Sequence, residues 1–239
     1  MNSNNPIQSL WIGTELSPME ILCIKSYLAN GHVFHLYTYH NLSGIPKGTV
    51  VKDANSIIPE KDIYIDRFGS YAHIADQFRF TLLYKIGGWW VDMDTVCLKH
   101  FDFEDDFVFS SERCDSLKQR CKVNNTYIKS EPCAKFLKDC LDFISVRGHE
   151  HIHWGELGVS LFSRMIFRNK MEQYIKSPDY FCPVSYYEFD VFIEDKPYVI
   201  PETSCALHWW NYFWSRDNVD KNSAFPKKSL YEVMKEKYY

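Results

Sequence analysis

The sequence lacks several features that mark particular classes of protein. No run of apolar residues approaches the length of about 18 that spans a bilayer, and no Cys-x-x-Cys pair suggests a structural zinc site. The charge balance has no basic excess, since 27 Lys and Arg stand against 31 Asp and Glu, and this argues against nucleic acid as a partner. Glycine and proline are scarce, with 10 residues each, which excludes a collagen-like or low-complexity chain.

A secretory signal is also missing. The N-terminal segment MNSNNPIQSLWIG is polar before it is apolar and has no charged stretch followed by a hydrophobic one, so we expect no signal peptide. Without such a signal, the eight cysteines are expected to be reduced thiols and not disulfides. These two expectations together predict a cytoplasmic location.

Aromatic residues are abundant instead, at 17% of the chain, and hydrophobic residues reach 46%. These proportions exclude a disordered chain. They also allow one sizeable core, because a protein of this length buries roughly 70–75% of its unfolded surface. The sequence has no repeat, linker or low-complexity tract, and we therefore predict a single domain over residues 1–239.

Strand-like and helix-like segments alternate through the first half of the chain. Apolar periodicity, helix caps and glycine stops predict strands at 7–12, 33–39, 89–93, 107–110 and 123–129, and helices at 17–30, 70–86, 133–146 and 156–168. Short strands are expected around Val199 and at 206–209, followed by a basic helix from about Ser229. This alternation predicts an α/β fold with a mainly parallel central sheet flanked by helices.

The stretch DQFRFTLLYKIGGWWVDMD, residues 76–94, carries the candidate chemistry. Asp92 and Asp94 end an apolar strand, and residues two apart on a strand share a face, so both carboxylates can converge on one ion if the strand continues. Ligands of parallel sheets bind at this end of the strands. Oxygen donors suit Mg²⁺ or Mn²⁺ and not zinc. Asp76 and Arg79, three apart on a helix, can offer an acceptor and a donor fork to a polar ligand, although a helix-surface ion pair explains them equally well.

This stretch resembles the signature of the DXD-containing sugar transferases of the GT-A fold. That family includes bacterial capsular transferases, fungal initiating mannosyltransferases and, more distantly, clostridial glucosylating toxins. The shared pattern is an aspartate, an arginine three residues later, an aliphatic-aromatic helix, Gly-Gly and a strand that ends in D-x-D. The segments SLWIGTELSPME (9–20), HWGELGVSLF (153–162) and ALHWWN (206–211) also resemble the family. One departure is Val159, where many relatives have proline.

The resemblance implies a metal-dependent, retaining transfer of a hexose from a nucleotide sugar to a glycan, a polysaccharide or a lipid-linked saccharide. UDP is favoured over GDP as the nucleotide. The implied metal site takes Mn²⁺ or Mg²⁺ and consists of Asp92, Asp94 and His208. The implied contacts to the nucleotide sugar are Trp11, Asp76, Arg79, Trp90, Asp92, Trp209, Trp210 and Asn211.

Three residues form the predicted catalytic set. Two of them, Asp76 and Arg79, would hold the hydroxyls of the donor sugar, as the resemblance implies. The third, Glu156, is a candidate carboxylate near the acceptor, but an acid at a helix start is favoured by the helix dipole and is equally well structural. We also expect most of the seven tryptophans to line one cleft near the metal carboxylates.

Two other functions fit parts of the sequence. The segment VDMDTV (91–96) fits the nucleophile motif of haloacid-dehalogenase-like phosphatases, in which Asp92 would attack phosphorus and Asp94 would act as acid and base. That motif belongs on the first strand and needs a Gly-Asp pair downstream, which the sequence lacks. A non-catalytic carbohydrate-binding module is the second alternative, because exposed Trp and Tyr rings bind sugars.

Two further segments have an ordinary and a functional interpretation. The run HEHIH at 149–153 is interpreted as a polar loop, with a metal cluster as the alternative. Residues 225–239 mix lysines with aromatic residues, so a fraying surface helix is the default interpretation. The alternative is peripheral contact with the inner face of an anionic membrane, which basic and interfacial aromatic residues favour.

Overall fold

A six-stranded sheet forms the centre of the computed structural model, which describes residues 5–114 and 121–239. The strands found in these ranges are β1 (Ile7–Trp11), β2 (Phe34–Thr38), β3 (Val50–Asp53), β4 (Gly88–Val91), β5 (Thr95–Cys97), β6 (Val108–Arg113), β7 (Cys121–Ser130) and β8 (Ala206–His208). The sheet order is β3-β2-β1-β4-β7-β6. The first four strands are parallel and β7 is antiparallel to both neighbours, which confirms the predicted α/β fold with a mainly parallel sheet.

Helices cover both faces of this sheet. They are α1 (Pro18–Ala29), α2 (Ala72–Ile86), α3 (Lys135–Arg147), α4 (Leu161–Arg168), α5 (Pro178–Phe181), α6 (Asn211–Arg216) and α7 (Leu230–Tyr238). One hydrophobic cluster contains the buried faces of α1 and α7, and a second contains those of α2, α3 and α4. Side chains of a strand alternate between faces, so Trp89 and Val91 join the first cluster while Trp90 joins the second.

The junction between α2 and β4 depends on a glycine. Gly87 has φ +72°, a left-handed conformation that favours glycine at a helix end. A Cβ at this position would come within 2.7 Å of the Pro132 ring and 2.9 Å of the Ser130 carbonyl oxygen. The Gly-Gly pair therefore lets the chain turn directly from α2 into the central strand that leads to the candidate site.

A small second sheet brings the C-terminal part of the chain to the same place. Strands β5 and β8 pair in antiparallel fashion, with Thr95 opposite His208. The sequence interpretation did not include β5, because its three residues follow the strand before it after a short turn. This pairing places the ALHWWN segment beside the end of β4.

Two predicted elements differ from the structure. Residues around Val199 form no strand, since Val199 is 87% exposed and lies between two prolines that cannot donate to a ladder. The helix predicted at 156–168 is divided into a π-helical turn, Glu156–Ser160, and α4, because Gly158 adopts a non-helical φ of −94° and ψ of −112°.

The C-terminal helix packs firmly against the rest of the protein. Helix α7 begins after Ser229, whose side chain accepts the N–H of Glu232, and it buries Leu230, Tyr231 and Met234. Helix α7 is therefore a surface helix with one face buried against the rest of the protein. Contact of this helix with a membrane stays a prediction, as does the single-domain assignment.

Candidate active site

Asp92 and Asp94 lie on a turn between β4 and β5, here called the DXD turn (residues 92–94). Strand β4 ends at Val91, so the strand does not continue through the motif. The turn is held instead by hydrogen bonds beneath it, since the Thr95 hydroxyl donates to the Asp92 carbonyl oxygen at 2.8 Å. The Met93 side chain between the two acids is buried. A tight turn, and not a continued strand, thus brings the two carboxylates together.

Three side chains at this turn form a group able to hold a metal ion. Asp92, Asp94 and His208 each offer one ligand atom, and these atoms all lie within 4.8 Å of one another. The Asp94 carboxylate lies 3.2 Å from His208 Nε2 and accepts the backbone N–H of Asn211 at 2.9 Å. Two carboxylates and one imidazole fit Mn²⁺ or Mg²⁺ as donors. The structure therefore brings together the whole predicted metal set.

The electrostatics of this group keep Asp94 ionised. Burial alone raises the pKa of its carboxyl, but the His208 imidazole and the Asn211 N–H outweigh burial and lower the pKa to about 2. Burial lowers the pKa of His208, but the neighbouring Asp94 outweighs it and raises that pKa well above its usual range. Burial also raises the pKa of Asp92, against the opposing effect of Arg79. An ionised carboxylate is the form that a metal ion requires.

Arg79 connects helix α2 to the DXD turn. Its buried guanidinium lies 3.1 Å from Asp92 Oδ1 and 3.4 Å from Asp76 Oδ1, and it also donates to the carbonyl oxygen of Asn125. The same group lies 5.1 Å from the centre of the Trp90 ring, whose indole N–H donates to Asp92 at 2.8 Å. Arg79 thus joins α2, the DXD turn and β7 in one buried network. It does not form the simple ion pair on a helix surface that was the alternative.

Asn125 is the member of this network that the sequence interpretation missed. It lies on β7, is buried, and its side-chain amide donates to Asp76 Oδ1 at 2.8 Å. The available signal was the pair Asn124–Asn125 within a strand, because asparagine is depleted in strands and needs a partner when buried.

Asp76 lies behind Arg79 and does not line the cleft described below. A Cβ at Gly158 would come 2.4 Å from Asp76 Oδ2, so the backbone of the π-helical turn covers this side of the carboxylate. Burial raises the pKa of Asp76, while Arg79 and Asn125 oppose the increase. Asp76 is thus held by Arg79 and Asn125 at the edge of the site, and its contact with the donor sugar stays a prediction.

A cleft of about 650 Å³ opens at the carboxyl edge of the central sheet. It is lined by residues from β1, α2, the DXD turn and the segment after β8. Eight predicted site residues line it, namely Trp11, Arg79, Trp90, Asp92, Asp94, His208, Trp210 and Asn211.

The tryptophans divide between this cleft and the core. Four of the seven line the cleft, namely Trp11, Trp90, Trp154 and Trp210. Trp89 packs on the opposite face of the sheet, while Trp209 and Trp214 are buried on either side of the Tyr231 ring, at 5.3 and 5.0 Å. The structure does not bring Trp209 into the cleft, because its ring is fully buried and packs against Phe192 and Tyr231.

Glu156 lies outside the cleft lining. Its carboxylate is 2.8 Å from Arg147 Nε and accepts the backbone N–H of His153 at 2.8 Å. That N–H and the Arg147 guanidinium lower the pKa of Glu156. The structure therefore supports the structural interpretation of Glu156, which ties the loop before the π-helical turn to the end of α3. The run at 149–153 is a turn, and it contributes no ligand to the metal group found in the described residues.

Comparison with known proteins bears on this site. Residues 32–115 match a family described as glycosyltransferase sugar-binding region containing DXD motif. No curated protein matches the sequence. Among solved structures, the PaToxG glycosyltransferase is 18% identical, with 70% of each chain covered and a TM-score of 0.52, which indicates a shared fold. A mutant transferase is 12% identical over 74% of this chain and 92% of the other, with a TM-score of 0.43. The resemblance noted in the sequence and the expected enzyme class are confirmed.

Proposed function

Because this chain is a glycosyltransferase with a DXD-containing sugar-binding region, we propose that it moves a hexose from a UDP-sugar to a glycan hydroxyl, with Mn²⁺ or Mg²⁺ bound by Asp92, Asp94 and His208. The observation that carries the proposal is the group of three ligand atoms within 4.8 Å of one another at the wall of an open cleft. In the reaction, the bond between the anomeric carbon and the diphosphate oxygen breaks. The diphosphate takes the electron pair, the oxygen of the acceptor hydroxyl forms the new bond to the anomeric carbon, and the hydroxyl proton passes to an oxygen of the leaving diphosphate.

A bound divalent cation would supply Lewis-acid stabilisation of the leaving diphosphate. The chain's own residues prepare the place for it. Trp210 packs its ring against His208, with centroids 3.9 Å apart, and so limits the orientation of the imidazole. Trp210 also adopts φ +58°, a rare conformation for a bulky residue, and this backbone bend directs the Asn211 N–H to Asp94.

The remaining walls of the cleft suit the other parts of a nucleotide sugar. Trp11, at the end of β1, is half-buried, and an aromatic face of this kind can stack on a nucleobase. Arg79 is the cleft residue placed to donate to sugar or phosphate oxygens, and its network with Asp76 and Asp92 fixes its position. Retention of the anomeric configuration is proposed on the resemblance alone.

The phosphatase alternative has less support from the geometry. Its nucleophile would be Asp92, which lies on the turn after β4. The motif also follows the fourth strand of the chain and not the first. The cytoplasmic location and a lipid-linked or polysaccharide acceptor stay predictions. Within the described residues, every helix is too short or too polar to cross a membrane.

The test is a calorimetric titration of UDP with and without Mn²⁺, followed by a panel of nucleotide sugars read out by release of the nucleoside diphosphate. We expect UDP binding to depend on Mn²⁺ and to be lost, with turnover, in Asp94→Asn. This substitution keeps an oxygen acceptor for the Asn211 N–H, so the far-UV circular dichroism should not change. Asp102→Asn, an exposed acid outside the cleft, is the matched control. Undiminished turnover of Asp94→Asn in excess Mn²⁺ would contradict the proposal.

A further inference from the structure

Exposed aromatic rings surround the mouth of the cleft, and the chemistry proposed above does not use them. Trp154 is 44% exposed, Tyr212 50%, Tyr71 39% and Phe68 45%. Trp154, Tyr212 and Tyr71 line the same cleft as the DXD turn. Contiguous exposed apolar surface on a soluble protein marks a binding site far more often than isolated exposed residues do. These rings therefore need a ligand to explain them.

The rings contact one another across two separate segments. Trp154 belongs to the loop before the π-helical turn, and Tyr212 belongs to α6. Their centroids lie 4.8 Å apart with ring planes inclined by 30°. Phe68 meets the edge of Trp154 at 5.5 Å and 90°. Because each ring is supported by another, the indole and the phenol are held in place while about half of each remains open to solvent.

Both segments are tied to the metal group and its network. Tyr212 follows Asn211, whose N–H binds Asp94. Trp154 precedes Gly158 by one turn of chain, and Gly158 lies against Asp76. A ligand that rests on the two aromatic rings is therefore adjacent to the place where the donor sugar is expected.

The charged residues that line the cleft indicate whether that ligand is neutral or anionic. Among the described residues that line the cleft, Arg79 is the only Lys or Arg side chain, and it is already engaged by Asp76 and Asp92. In the proposed function Arg79 and the metal group serve the diphosphate of the donor, so a second, anionic ligand would find no further counter-charge among these lining residues. A neutral saccharide fits better, because its rings have an apolar C–H face that packs on an aromatic ring and hydroxyl edges that remain hydrated.

We propose that Trp154 and Tyr212 form an acceptor platform, which binds a neutral glycan by packing the apolar face of one sugar ring on the aromatic pair. The inference rests on the proposed function, since the sugar held there is the acceptor that receives the hexose. The platform favours an uncharged sugar ring with an apolar C–H face, and it positions the glycan at the mouth of the cleft.

Saturation-transfer NMR tests this with three neutral trisaccharides, maltotriose, cellotriose and mannotriose, added to the protein with UDP and the diamagnetic ion Mg²⁺. At least one should bind in a saturable way. Trp154→Ala and Tyr212→Ala should each weaken that binding by about tenfold, whereas Trp154→Phe and Tyr212→Phe keep a ring and should stay near the original affinity. Phe167→Ala removes an exposed aromatic ring outside the cleft lining and serves as the control.

The affinity for UDP with Mn²⁺, measured by calorimetry on the same protein variants, distinguishes a failure of the acceptor platform from a failure of the proposed function. If it is unchanged in the alanine variants while saccharide binding falls, the platform is supported. Absence of binding of all three trisaccharides, or equal binding by the alanine variants, overturns the platform even when UDP binds normally. Failure of the unaltered protein to bind UDP with Mn²⁺ contradicts the proposed function itself. Thermal unfolding of each variant checks that the fold is retained.

Discussion

Replacement of Arg79 by leucine should destabilise the metal-free protein strongly, although the new side chain is apolar and the site is buried. Arg79 is the partner of two carboxylates, at 3.1 Å from Asp92 and 3.4 Å from Asp76, and it also donates to the Asn125 carbonyl oxygen. The leucine would leave these three acceptors without their donor. Loss of one partner of a buried ion pair costs about 3–5 kcal/mol, and this is the decrease we expect in the free energy of unfolding at pH 7.

The pH dependence gives the prediction a second measure. Burial already raises the pKa of Asp76 and Asp92, and Arg79 opposes that increase. Without the guanidinium both pKa values should rise further, so the folded state takes up protons more readily than the unfolded state. A carboxyl with a raised pKa in the folded state loses stability as the pH rises through that pKa. The cost of Arg79→Leu should therefore shrink when the pH falls from 7 to 5.

Urea denaturation followed by circular dichroism in EDTA measures both effects. Arg79→Lys keeps the charge but not the planar fork, and should cost about 1–2 kcal/mol. Adding Asp76→Asn to Arg79→Leu removes one unpaired charge and should recover part of the loss. Arg216→Leu, at an exposed arginine, should leave the free energy of unfolding unchanged. If Arg79→Leu costs no more than this control and shows no pH dependence, the network does not carry the energy assigned to it.

Three further predictions concern other parts of the site and the fold. Gly158→Ala introduces a Cβ within 2.4 Å of Asp76, so it should lower both the melting temperature and the transfer rate, as thermal unfolding and diphosphate release will record. Thr95→Val removes the hydroxyl that supports the Asp92 carbonyl oxygen, and should weaken Mn²⁺ binding in calorimetry by about five- to tenfold, with rescue by Thr95→Ser. Burial lowers the pKa of His32 to about 4, so the free energy of unfolding should fall as the pH drops from 6.5 to 4, by up to about 1.4 kcal/mol per pH unit. His32→Gln should flatten that decrease, and an equally steep pH profile in this variant would contradict the assignment.

The elements of the fold were largely predictable because their signals are local. Helix α1 begins after Ser17 with Pro18 at its first position, and α2 ends at the Gly-Gly pair, both as expected. Strand β5 was missed because three residues carry too little periodicity to be recognised. The strand expected around Val199 failed because a strand needs a partner, and apolar residues between prolines do not provide one.

The three residues of the metal group could be predicted from the family resemblance, whereas the side chains around them could not. Asp92 and Asp94 are two residues apart in sequence, but His208 joins them only because β8 pairs with β5. Asn125 on β7 reaches Asp76 on α2, and the Asn124–Asn125 pair indicates a buried polar group without identifying this partner. Glu156 and Trp209 show the reverse case, since both lie in matching segments but face away from the cleft.

The abundance of aromatic residues was visible in the composition, and so were the fold class, the DXD motif and the pattern of helices and strands. These properties follow from local propensity and hydrophobic periodicity, which each stretch of chain expresses by itself. Only the tertiary structure decided where each aromatic ring lies: Trp90 and Trp210 are buried but border the cleft, whereas Trp89 and Trp209 are buried away from it. For Trp89 and Trp90 the physical reason is that neighbouring residues of a strand point in opposite directions, whereas Trp210 follows the end of β8 and has a positive φ. The side of the chain that becomes buried is decided by the packing of segments that are distant in sequence.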